Sequence, residues 1–178
     1  MISIIFEAHG TTYDNASDLS SGWKDVDLSP LGIEQAFGLG QRYKDTEIES
    51  VFTSDLVRAT RTADIAFGER TDLVIVADAR LRECNYGDLN GASKDIVEPL
   101  KKEHISTPFP HGESYEDCMK RMKSFLDELK TSHDGKTVLI IGHRATQFGL
   151  DYWINHTSLH ELTTAHFVWQ PGWKYQLG

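Results

Sequence analysis

Two histidines in this chain each follow a short apolar run: His9 comes just after Ile2–Phe6, and His143 just after Val138-Leu139-Ile140-Ile141-Gly142. Ligands of open α/β sheets bind beyond the carboxyl ends of the strands, and both imidazoles stand at such ends. Gly10 follows His9 and lets the backbone come close to a ligand. The next N–H and hydroxyl groups, of Gly10, Thr11 and Thr12, can face an anion. A neutral imidazole in this setting is a nucleophile for phosphorus. A second one, His143, is a donor to a transferring phosphoryl group. Either histidine alone reads more readily as a hydrogen-bonded structural side chain. Two further residues change the balance. Arg58 falls in the first turn of a helix opening after Ser54, where the dipole favours an anion and disfavours a cation. A purely structural arginine fits that position poorly. Glu83 lies in a loop whose Gly87 and Gly91 suit a tight turn, and partial burial would make it a general acid.

The elements that must position these residues follow from periodicity. Strand-like runs cover Ile2–Phe6, Ser50–Thr53, Leu73–Ala77, Thr137–Ile141 and His166–Trp169. Between them lie helical patterns. Ser29-Pro30 is an N-cap with proline at the first helical position, and Ile33, Ala36, Phe37 and Tyr43 then share one face. A second helix covers Leu56 to Phe67. Ser114 and Asp117 form a capping box, and Tyr115, Cys118, Met119, Met122, Phe125, Leu126 and Leu129 follow as a core stripe. A fourth helix covers Ala145 to about Asn155. Pro99, Pro108 and Pro110 break up the stretch from Cys84 to Glu113, which reads as a substrate-facing loop with one short helix. Strands alternating with helices predict one α/β domain over 1–178, a three-layer sandwich with a mostly parallel central sheet.

Composition narrows the partners. The chain has 178 residues, 39% hydrophobic, with a formal net charge of -9, which argues against nucleic-acid binding. An anionic substrate must then be met by a few concentrated arginines, against the global field. The apolar N-terminus lacks the basic segment of a signal peptide, and the longest apolar run is far too short to span a bilayer. Cys84 and Cys118 are distant in sequence and show no metal spacing; they read as free thiols of a reducing cytosol. The chain is therefore expected to be cytoplasmic, with no membrane contact. His156 and His160 stand four apart beside Glu161, but no second ligand pair supports a metal site.

Taken in order, the motifs resemble the histidine phosphatase superfamily, also called phosphoglycerate mutase-like. His9-Gly10-x-Thr12-x-x-Asn15 looks like its opening motif. Ser54-Asp55-Leu56-x-Arg58-Ala59-x-x-Thr62-Ala63 is similar to its second arginine motif. Leu81-x-Glu83 with Tyr86-Gly87-x-Leu89-x-Gly91 looks like its acid loop, and Gly112-Glu113-Ser114 and Gly142-His143 complete the series. The resemblance implies the phosphoglycerate mutase-like fold and a phosphomonoester hydrolase acting on a small phosphorylated metabolite. His9 would become a phosphohistidine. Glu83 would protonate the leaving oxygen and later deprotonate water. Gly10, Asn15, Arg58 and His143 would surround the phosphoryl oxygens, without metal or cofactor, in a monomer or homodimer. Mutases of the superfamily carry a longer lid insertion between the acid loop and the second histidine. Only 59 residues separate Glu83 from His143 here, which favours hydrolysis over phosphoglycerate mutase-type transfer. A noncatalytic phosphate-ligand binding member is the other alternative.

One departure stands out. The family nearly always has arginine directly before the nucleophile, and this chain has Ala8. Arg144, where a small or polar residue is usual, is a candidate to replace the lost phosphate contact. Arg82 is expected at the pocket rim, and His111, beside Gly112-Glu113, is expected to contact the rest of the substrate. Trp153, Trp169, Trp173, Tyr152 and Tyr175 read as packing or a dimer surface.

Overall fold

Apolar side chains fill both faces of the central strands, so helices must cover both. The computed structural model describes all residues, Met1–Gly178. In chain order the elements are β1 (Ile2–Ala8), α1 (Tyr13–Ala16), β2 (Leu19–Ser20), α2 (Pro30–Arg42), β3 (Ser50–Thr53), α3 (Val57–Phe67) and β4 (Val74–Ala77). They continue with β5 (Ala92–Ser93), α4 (Lys94–Leu100), α5 (Tyr115–Ser132), β6 (Thr137–Gly142), α6 (Arg144–Ile154), α7 (Leu159–Thr164) and β7 (Trp173–Leu177). The main sheet runs β4-β3-β6-β1-β7, parallel except for β7, and β2 pairs with β5 apart from it.

Strand side chains alternate between faces, and the core divides accordingly. Ile5, Val51, Leu139 and Ile141 pack with Leu39 and Tyr43 near α2 and with Ala63 and Phe67 of α3. Ile4, Phe6, Val138 and Ile140 pack on the other face with Met122, Phe125, Leu126 and Leu129 of α5 and Leu150 of α6. The three-layer sandwich and its mostly parallel sheet are as expected. The Ser114–Asp117 capping box forms, and the whole α5 stripe is buried. No helix is long and apolar enough to cross a membrane.

Two expectations fail for physical reasons. The buried face of α2 is Gly32, Ala36 and Leu39, while Ile33 and Phe37 are exposed. A Cβ on Gly32 would sit 2.1 Å from the Thr11 carbonyl oxygen, and one on Gly40 would sit 2.3 Å from that of Ala66. Close backbone approach selects the small-residue face and turns the bulky one outward. The segment His166–Trp169 is not a strand. The last strand is β7, which pairs antiparallel with β1 after a turn at Gly172, whose φ is +62°. Its Tyr175 and Leu177 point to the core while Lys174 and Gln176 are exposed.

Candidate active site

Sheet register creates the site. Ala8 pairs with Gly142 across β1 and β6, and Thr53 pairs with Ile141 across β3 and β6. The residues just beyond, His9, His143 and Ser54, therefore emerge together at the carboxyl edge. The rings of His9 and His143 lie with centroids 5.0 Å apart, tilted by 54°. His9 Nδ1 is 2.7 Å from the Gly10 carbonyl oxygen. A carbonyl only accepts, so Nδ1 carries the proton of the neutral ring and Nε2 holds the free lone pair. His143 Nε2 meets the Ser54 hydroxyl at 2.6 Å, while its buried Nδ1 has no partner.

Arg58 is buried in the first turn of α3 and meets no carboxylate. Its guanidinium donates to the carbonyls of Gly22 (2.7 Å) and Lys24 (3.1 Å). Burial lowers its pKa. Burial and the Arg58 charge push the His9 pKa down from 6.5 to about 3, and the same two causes hold His143 well below the ordinary histidine value. Both rings are thus neutral at physiological pH, next to a buried cation that forms no ion pair and feels Glu83, Asp25 and Asp14 only from farther off. That is an anion site held open by charge.

The linkage has a measurable sign. Between pH 6.5 and about 3 the unfolded chain binds a proton at residue 9 that the folded chain refuses, so stability falls as pH drops through this window. Urea midpoints from pH 7 to 4 should decline less steeply in His9→Ala than in the parent. The difference should be on the order of 1 kcal/mol for each pH unit below 6.5, at about 1.4 kcal/mol per full proton. Parallel pH dependences would contradict a low pKa at His9.

Glu83 closes the site from the opposite loop. Its two carboxylate oxygens accept from the backbone N–H groups of Cys84 (2.8 Å), Arg144 (3.1 Å) and Ala145 (3.1 Å). The last two belong to the start of α6, where the dipole favours negative charge. The Glu83 carbonyl is fixed by the Trp23 indole N–H at 2.7 Å and by Arg121 at 3.0 Å. Arg121 also donates to the carbonyls of Arg80 and Arg82 and to both oxygens of Glu113. The distant Cys84 and Cys118 are brought together here, both buried and unbridged. They and Glu113 offer three potential metal-ligand atoms within 4.8 Å of one another. The Arg121 guanidinium already binds Glu113 and the Cys118 sulfur, and a fixed cation there opposes a metal.

His9, Asn15, Arg58, Glu83, His143 and Arg144 all line one cavity of about 830 Å³. Asn15 caps α1 through its Oδ1, which accepts from Thr12 N–H, so its Nδ2 donors have no protein partner. Gly10 departs from its expected role: its N–H donates to Thr62 Oγ1 at 3.0 Å and does not face the cavity. What requires glycine there is contact, since a Cβ would sit 2.5 Å from the Gly32 carbonyl oxygen. Arg144 also differs from the expected substitute. Its guanidinium donates to Gln147 at 2.7 Å and lies 4.7 Å and 5.1 Å from the rings of Phe148 and Phe167. Arg58, not Arg144, is the arginine acting on His9. Arg82 pairs with Asp55 and lies over Trp23, and the exposed His111 meets Asp88. Neither lines the cavity.

The sequence reading missed the bond of the buried Ser54 to His143 and several cavity residues: Phe148, Lys102, and the wall formed by Phe167 and Trp169. Ser54 was legible as the residue one step beyond a strand end. Ala8 faces both the main cavity and a second one of about 250 Å³ that Glu7, Arg42 and Trp169 also line.

Known proteins share this sequence pattern and fold. A phosphoglycerate mutase dependent on 2,3-bisphosphoglycerate, from Methylobacterium sp. (strain 4-46), is 33% identical over 154 residues, covering 79% of this chain and 74% of that one. The structure of YhfR from Bacillus stearothermophilus superposes with a TM-score of 0.82 at 29% identity, covering 95% of this chain and 87% of the other. A mycobacterial glucosyl-3-phosphoglycerate phosphatase complexed with VO3 gives a TM-score of 0.80 at 27% identity, covering 92% and 87%. The sequence model of the histidine phosphatase superfamily (branch 1) matches residues 4–167. With two facing histidines at neighbouring strand ends and a family match spanning nearly the whole sheet, the chain belongs to the histidine phosphatase superfamily.

Proposed function

We propose that this protein is a metal-independent phosphomonoester hydrolase working through a phosphohistidine at His9. The observation that carries the reading is the pair of neutral imidazoles 5.0 Å apart beside the unpaired Arg58. His9 Nε2 attacks phosphorus, and the P–N bond forms as the P–O bond to the alcohol breaks. Glu83 supplies the proton to the departing oxygen. Water then gives a proton back to Glu83 and attacks phosphorus, the P–N bond breaks, and inorganic phosphate leaves with His9 neutral again. Arg58 and the Asn15 amide neutralise and orient the phosphoryl oxygens. His143, 5.0 Å from His9 in ring centroids and neutral, is the further donor to the phosphoryl group. Catalysis here is positioning and charge.

A mutase must keep water from its phosphohistidine; a wide cavity with exposed wall residues favours hydrolysis instead. The test is release of phosphate from p-nitrophenyl phosphate with chelator present, together with an acid-labile, alkali-stable label on the protein. Absence of both would refute the reading.

Ala8 limits the site. It faces empty space on two sides, so Ala8→Arg has room to extend. One added charge-assisted contact is worth roughly 1.5–3 kcal/mol. Ala8→Arg is therefore expected to raise kcat/KM for simple monoesters about ten- to a hundredfold and to tighten vanadate inhibition. No change in either would mean that position 8 does not reach the phosphoryl group.

A further inference from the structure

We propose that the outer part of the cavity is a second anion site, centred on Arg144 with Lys102. The substrates would then be phosphomonoesters whose leaving alcohol itself carries a carboxylate or a second phosphate. This deepens the hydrolase reading and rests on it.

Charge pairing is the first ground. Of 18 Lys and Arg side chains, twelve are paired to an acid. Arg58, Lys102 and Arg144 are not, and all three line this one cavity. In a chain of net charge -9, half of the six unpaired cations at one site form a local field against the global one.

The second ground is that the cations form two positions. Arg58 acts on both histidines, whereas Arg144 is not among the charges acting on either. The acids facing Arg144 are Glu83, Asp151 and Glu98, none within ion-pairing distance. A guanidinium has five N–H donors, and Gln147 is the only acceptor that Arg144 has. Phe148 and Phe167 lie against it and offer none. A half-buried planar fork with free edge donors suits a carboxylate or a phosphate.

The third ground is the path of the leaving group. In an in-line transfer the alcohol departs opposite His9, and its oxygen must come within hydrogen-bond reach of Glu83. The Glu83 carboxylate is bonded to the backbone N–H of Arg144. Glu83 and the Arg144 side chain line the same cavity, so an alcohol that reaches the acid occupies the space that Arg144 also faces.

The test compares butyl phosphate, 4-phosphonooxybutanoate and butane-1,4-diyl bisphosphate, which differ only at the far end. The parent is expected to favour the carboxylate or the bisphosphate over butyl phosphate in kcat/KM by about tenfold or more, as for one charge-assisted contact. Arg144→Gln should reduce that preference to within about threefold. Its turnover of p-nitrophenyl phosphate and its inhibition by vanadate should stay within about threefold of the parent. Lys102→Ala should shift the preference in the same direction by less. Which of the two anions loses more identifies the group recognised. A uniform loss across all substrates and vanadate in Arg144→Gln would overturn the proposal and place Arg144 on the transferring phosphoryl group. Absence of any preference in the parent would overturn it too. Calorimetric binding of the same three compounds reads the site independently of turnover. A preference seen in the parent and lost in Arg144→Gln supports the second anion site even where hydrolysis fails.

Discussion

His9→Ala should abolish turnover, lowering kcat on the order of ten-thousandfold or more, as removal of a covalent nucleophile does. No neighbour can take over. The Ser54 hydroxyl is bound to His143, and Cys84 and Cys118 are buried in the Arg121–Glu113 network. Phosphate affinity should change little, because Arg58, Asn15 and His143 remain. The measurement is steady-state hydrolysis of p-nitrophenyl phosphate together with labelling from a radioactive monoester. The parent should hold an alkali-stable label, and the variant none. A label that persists in His9→Ala, or that maps to another residue, would remove His9 from the nucleophile's role.

Glu83→Gln should slow hydrolysis of alkyl monoesters by on the order of a hundredfold or more. The effect on the first step should be much smaller for p-nitrophenyl phosphate, since its leaving oxygen needs no proton. The second step still needs a base to deprotonate water. Phosphohistidine should therefore accumulate, and p-nitrophenol should appear as a burst of about one per active site followed by slow turnover. Glutamine keeps one carbonyl acceptor for the N–H groups of Cys84 and Ala145, but sets an amide donor against the N–H of Arg144. Far-UV circular dichroism and the melting midpoint separate this local conflict from loss of the acid. Equal slowing of alkyl and p-nitrophenyl substrates, with no burst, would argue against Glu83 as the proton carrier.

The chemistry was more legible in the sequence than the substrate. His9, Arg58, Glu83 and His143 each sit one to five residues beyond a strand or at a tight loop, and short-range pattern locates strand ends well. Sheet order was not written locally: a parallel sheet brings its carboxyl ends to one edge, but His9, His143 and the start of α3 meet because β1, β6 and β3 are neighbours in that sheet. The stripe from Tyr115 to Leu129 is a run of helical periodicity and is buried throughout. Misreadings arose where tertiary contact overrode local character. On α2 the glycine face won over Ile33 and Phe37 because α3 and Thr11 approach too closely for side chains. The apolar run 166–169 resembles a strand, but the alternation of Trp173, Tyr175 and Leu177 pairs with β1, which leaves Phe167 and Trp169 to the cavity wall. Lys102, which lines the same cavity as Arg144, falls in the irregular stretch between α4 and α5, and no periodicity places it there.

The two halves of the pocket answer to different parts of the molecule. Arg121 joins Glu113 to the carbonyls of Arg80, Arg82 and Glu83 in the loop that carries Glu83, so the loop cannot open without breaking a half-buried ion-pair network. Its inheritance is tied to that of α5. The wall at Phe167 and Trp169 is about half exposed and contributes little to the core. Replacements there cost the fold almost nothing, whereas replacements behind Glu83 unsettle it. On the proposed hydrolase reading, substitutions at Phe167 and Trp169 are expected to change substrate preference while the acid loop stays in place.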